Sequence, residues 1–94
     1  MKISMVATSK EASPKAESHD NFNDLFLVQS GEEEFWVGGE ITDKEETEKG
    51  EWLGQNLVGA QKYQIKAGDV MVVPKGIAHK HGTGSVIFLV IKIA

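Results

Sequence analysis

The chain contains no cysteine and no arginine. The first absence excludes disulfides, thiolate metal sites and cysteine nucleophiles. The second leaves lysines scattered along a chain of formal charge −4 and pI near 5.3. That balance argues against a phosphate-binding surface, so no nucleic-acid partner is expected. No apolar run reaches the length of a membrane span, and no membrane partner is expected either. The start, Met1-Lys2-Ile3-Ser4-Met5-Val6, is too short and polar for a secretion signal, so the expected location is cytoplasmic. Helical periodicity, internal repeats and low-complexity tracts are also missing.

What remains is an ordinary globular composition, 40% hydrophobic and 26% charged, over 94 residues. That length supports one domain, 1–94. A domain so small has a limited core, which pairing into a homodimer would supplement. The apolar runs are short, β-branched and bounded by turn residues, as strands are. The clearest are Leu25 to Val28, Phe35 to Val37, Val70 to Val73 and Val86 to Ile91. Weaker ones are Ile3 to Ala7, Trp52 to Val58 and Gln61 to Lys66. Lys10 to Pro14 and the charged run Thr42 to Gly50 read as loops, the second as a solvated hairpin tip. Ten glycines between such strands suggest an all-β sandwich or barrel.

The most informative stretch runs from Gly68 to His79. Ala67-Gly68-Asp69 makes a turn. Val70 to Val73 is apolar on both faces, as in a strand covered on both sides. Pro74 cannot donate to a ladder, so the strand ends there, and Pro74-Lys75-Gly76 reverses the chain before His79 begins another strand. The spacing of Gly68, Pro74, Gly76 and His79 resembles the second conserved motif of the cupin superfamily, although Thr83 stands where that motif often has Asn.

The first cupin motif is partly present. Anchored on Gly31, it aligns Asp24 with the family's Glu, His19 with its second His and Glu17 with its first His; the upstream Gly is absent. Glu17 and His19, two apart, share a strand face. A turn at Asp20 to Asn23 would bring Asp24 onto the same inner wall, with His79 arriving from another strand. The resemblance spans Glu17 to Ile93. It implies a cupin-type double-stranded β-helix (jelly-roll barrel), with Phe22 to Glu40 forming a hairpin and His79 pointing into the barrel.

In cupins the corresponding positions bind a metal. Two imidazoles and one or two carboxylates suit a divalent ion such as iron, zinc, manganese or nickel. His19, Asp24 and His79 are the candidate ligands, with Glu17 as a fourth ligand or a general base whose pKa burial would raise. His81, on the face of His79, is a reserve ligand, although alone it reads as a hydrogen-bonded structural residue. Ser18-His19-Asp20 holds triad residue types but places neighbours on opposite faces. Asp20 to Glu32 lacks the ligands of an EF-hand, and no phosphate-cradling glycine loop is present. The resemblance implies a small cupin that binds a metal and a small-molecule ligand, with metal-dependent oxygenation or isomerisation as the leading chemistry. Alternatives are a metal-free ligand-sensing barrel and a dimeric structural module pairing through Met1 to Ala7 or Val86 to Ile93.

Overall fold

The structure is a computed structural model and describes residues 2–8 and 15–94. The expected loop at Lys10 to Pro14 lies outside the described residues. The elements are β1 (Lys2–Thr8), β2 (Ala16–His19), β3 (Asn23–Val37), β4 (Glu40–Ile41) and β5 (Glu45–Glu48). They continue with β6 (Glu51–Gly54), β7 (Leu57–Val58), β8 (Gln61–Lys66), β9 (Val70–Val73) and β10 (His79–Ile93). The chain is all-β and its strand pairings are antiparallel. Among the described residues there is no helix long and apolar enough to cross a membrane.

The main sheet runs β5-β6-β2-β10-β3-β8, with β1 added to β10 and β9 added to β3. β4 and β7 form a separate pair. The two 15-residue strands, β3 and β10, are its spine. This corrects the expected hairpin over Phe22 to Glu40: the chain does not turn at Ser30-Gly31 but passes through a bulge. Val28 pairs with Phe88 while Ser30 pairs with Ile87, so Gln29 is an extra residue in β3. Side-chain alternation changes phase there, because an inserted residue reverses which side chains face inward. Asp24, Phe26 and Val28 face inward before the bulge, and Glu33 and Phe35 after it. A second irregularity, between His81 and Gly84, does the same to β10.

The inward side chains form the core: Phe26, Val28, Phe35, Ile65, Val73, Val86, Phe88 and Val90. Three further expectations need correction. Val70 to Val73 is not covered on both sides, since Val73 is buried while Val70 and Val72 are 60% and 56% exposed. Thr42 to Gly50 is not all loop; Glu45–Glu48 forms a strand paired with β6, with its four residues exposed as a charged run should be. The strand expected over Trp52 to Val58 is split, because Gln55 and Asn56 hydrogen-bond back to Thr42 and turn the chain into β7.

Gly31 and Gly68 both have positive φ, 81° and 93°. They differ in surroundings: a Cβ on Gly31 would run into the Ser85 carbonyl oxygen, whereas one on Gly68 meets open space. Gly68→Ala should cost about 1–2 kcal/mol, the strain of an L residue in that conformation. Gly31→Ala must also push two paired strands apart and should cost more than about 3 kcal/mol. Urea denaturation of the two variants, side by side, checks the order.

Candidate metal centre

The centre is built where β2 lies between β6 and β10. His19 pairs with Glu51 across one edge of β2, and Glu17 pairs with His79 across the other. Directly opposed residues on paired strands share a face, so these four side chains meet by register. The turn that precedes β10 reinforces the arrangement. Gly76 has φ 74° and donates its N–H to the carbonyl of His19 (2.8 Å), tying the two motifs together through the backbone.

Glu17, His19 and His79 each offer one ligand atom, all within 4.8 Å of one another. Glu17 Oε1 lies 3.0 Å from His79 Nε2 and 3.8 Å from His19 Nε2. Ligand atoms sharing an ion at about 2.1 Å sit about 3–3.5 Å apart, so the first pair is at ligand spacing and His19 would have to move inward by a few tenths of an ångström to share a divalent metal. The histidine chemistry points the same way. His19 Nδ1–H donates to Glu51 Oε1 (2.8 Å), which leaves Nε2 facing the centre, and Nε2 is buried without a hydrogen bond. A carboxylate on the far nitrogen is the usual way to fix the tautomer of a metal-binding histidine. His79 is fully buried, donates from Nε2 to Glu17, and stacks on Phe35 with ring centres 5.8 Å apart.

The other candidates stand apart from this group. Asp24 is buried, with Oδ2 3.3 Å from His19 Nε2, but its Oδ1 is ion-paired to Lys92 at 3.2 Å. It adjoins the three-residue group rather than completing it. His81 is directed elsewhere: Nδ1–H donates to the buried Glu33 at 2.6 Å, and the ring stacks on Phe88. Sequence reasoning missed Glu51, Glu33 and Lys92. Each reaches its partner from a distant part of the chain, and no local spacing announces such a pairing.

The charges around His19 set its protonation. Burial opposes the imidazolium, and Lys92 repels it. The carboxylates of Asp24, Glu17 and Glu51 outweigh both, and the pKa of His19 is pushed up to about 10. The His19 and His79 imidazoles hold the Glu17 carboxyl well below the usual carboxylate range despite its partial burial. This reverses the expected upward shift and makes Glu17 a weak base in the metal-free protein. Burial raises Asp24 too, but His19 and Lys92 together bring it below its ordinary value.

Beside the centre lies a cavity of ≈ 140 Å³, lined by Glu17, Asp24, Phe26, His81 and Lys92 among others. It has room for a molecule of about benzene's size. No family model matches the chain, and no curated protein matches it.

A raised histidine pKa stabilises the fold in full below the unfolded value of about 6.5, and the contribution is lost as pH rises from there through about 10. The stability difference between the metal-free protein and His19→Gln should therefore be largest at pH 6 and shrink across that window, read by urea denaturation. Histidine NMR of the metal-free protein should find His19 still protonated at pH 8. A His19 that titrates near 6.5 contradicts this account.

Proposed function

We propose that the chain closes as a small cupin-type barrel that holds a divalent metal on Glu17, His19 and His79 and takes a small molecule in the adjoining cavity. The observation that carries this reading is the buried Nε2 of His19. It makes no well-formed hydrogen bond although Asp24 Oδ2 stands 3.3 Å away, it is oriented by Glu51 through the opposite nitrogen, and the ligand atom of His19 lies within 4.8 Å of those of Glu17 and His79. Iron, zinc, manganese and nickel all suit the donor set, and Asp24 stands near enough to serve as a fourth ligand if Lys92 releases it. A bound ion supplies Lewis acidity or a site for dioxygen, which suits oxygenation or isomerisation of a small polar substrate.

The chain's own groups do the rest. Phe26 and Phe88 give the cavity apolar walls, and the Lys92 ammonium offers a charge partner for an anionic group on the ligand. His81, with Nδ1 taken up by Glu33, presents Nε2 as its remaining polar atom. Lys92, His81 and the carboxylates of Glu17 and Asp24, all lining the cavity, would together orient a polar molecule of about six non-hydrogen atoms. A metal-free ligand-binding barrel is the second reading. It is favoured by the charge balance of the cluster, in which an imidazolium at His19 already offsets its carboxylates.

Metal analysis of the purified protein separates the two. After stripping with chelator, reconstitution with iron(II), zinc, manganese or nickel should load one ion per chain, and His79→Ala should lose it. Failure of all four metals to bind overturns the first reading. Because an ion must displace the His19 proton, its affinity should rise about tenfold per pH unit between pH 7 and 9. Glu51→Gln should weaken binding by about 10- to 100-fold with the fold intact. Titration calorimetry measures both effects.

A further inference from the structure

The outer face of the sheet changes character along its length. Beyond the bulges, where β3 pairs with β8, its outward residues are charged or amphipathic. Glu32 lies opposite Lys66, Glu34 is ion-paired to Lys62 at 3.3 Å, and the Lys62 ammonium lies over the Trp36 ring. Over the other half, where β1 and β9 flank the same two long strands, the two outer rungs carry no charge among the described residues. One rung across the four strands reads Ile3, Ile91, Leu25, Val72. The next outer rung reads Met5, Leu89, Leu27, Val70. The residues on the two flanking strands are the most open, with Met5 62% and Val70 60% exposed.

Two complete aliphatic rungs on a small chain are not scattered surface hydrophobics. Among the described residues the main core cluster holds eight buried apolar side chains, and these rungs hold eight more. Strand spacing and rise give the two rungs a footprint of roughly 20 by 14 Å. Side-chain relief enlarges that area, so covering it on two molecules removes on the order of 1,000 Å² from water, about the least that a specific interface buries. A face without charge cannot select a charged partner, and a nucleic acid or an acidic peptide finds nothing on it to pair with. It fits a second flat aliphatic sheet stacked about 10 Å away.

We infer that this face is covered by the same face of a second copy of the chain, related by a two-fold axis. An isologous contact of this kind closes on itself and leaves no aliphatic face to drive further assembly. The inference is independent of the metal, since neither rung includes a residue of the centre.

Sedimentation velocity of the full chain, with and without chelator, tests it. The expected mass is twice the 10.3 kDa of one chain. Met5→Lys combined with Val72→Lys, both at exposed positions, should give the single-chain mass with an unchanged far-UV spectrum. Val58→Lys, equally exposed but on β7, should leave the dimer intact. A wild-type monomer at about 100 μM, a dimer that survives the double lysine variant, or an open-ended assembly each overturns the inference. Should the double variant fail to fold, the absence of cysteine allows a single spin label at Met5→Cys or at Val58→Cys. A shorter label-to-label distance at position 5 supports the two-fold contact, and a longer one overturns it.

Discussion

The structure depends most on how the four-residue strand β2 is held. It is short, yet both of its edges are paired, to β6 and to β10. Register alone then sets Glu17 against His79 and His19 against Glu51. A slip of one residue would turn both β2 side chains to the other face and dissolve the centre. The Gly76 N–H on the His19 carbonyl guards against that slip.

A metal ion would compete with a proton for the same place in this arrangement. Carboxylates from Glu17, Asp24 and Glu51 converge on one imidazole, and positive charge is needed among them. In the metal-free protein a proton on His19 provides it. A divalent ion would provide more, at a point nearer to Glu17 and His79. The same cluster thus accounts for a fold that stands without metal and for a group of side chains that could hold one. Glu17 shows the consequence, since two imidazoles keep it ionised where burial alone would have favoured the neutral acid.

Much of this was legible in the sequence, for a physical reason. The strands at Leu25 to Val28, Val70 to Val73 and Val86 to Ile91 announce themselves through local apolar patterning, and the start of β10 at His79 follows from the turn chemistry of Pro74 and Gly76. The meeting of Glu17, His19 and Asp24 follows from a period of two plus one bend at Asp20. What was not legible is long-range. Glu51 and Lys92 sit in unremarkable local contexts, and they matter only because β6 and β10 place them beside His19 and Asp24. The continuity of β3 was hidden for a different reason: Ser30-Gly31 has the composition of a turn, and nothing local tells a turn from a bulge. Val70 and Val72 misled because an apolar face looks the same in sequence whether its own chain covers it or leaves it exposed.

The two bulges of the spine have a consequence for insertions and deletions. One adds a residue to β3 at Gln29, and the other adds a residue to β10 between His81 and Gly84. Partner numbers across the strands shift by one at the first bulge and shift back at the second. The two are a matched pair of reading-frame changes, written in side-chain phase instead of codons. Flattening either bulge with its extra residue retained would carry Glu33 and Phe35, or His79 and His81, to the wrong face. Deleting the extra residue instead would leave every pairing in place, because ordinary alternation then turns the same side chains inward. Single-residue length variation in these two strands is therefore expected at the bulges and not elsewhere along the spine.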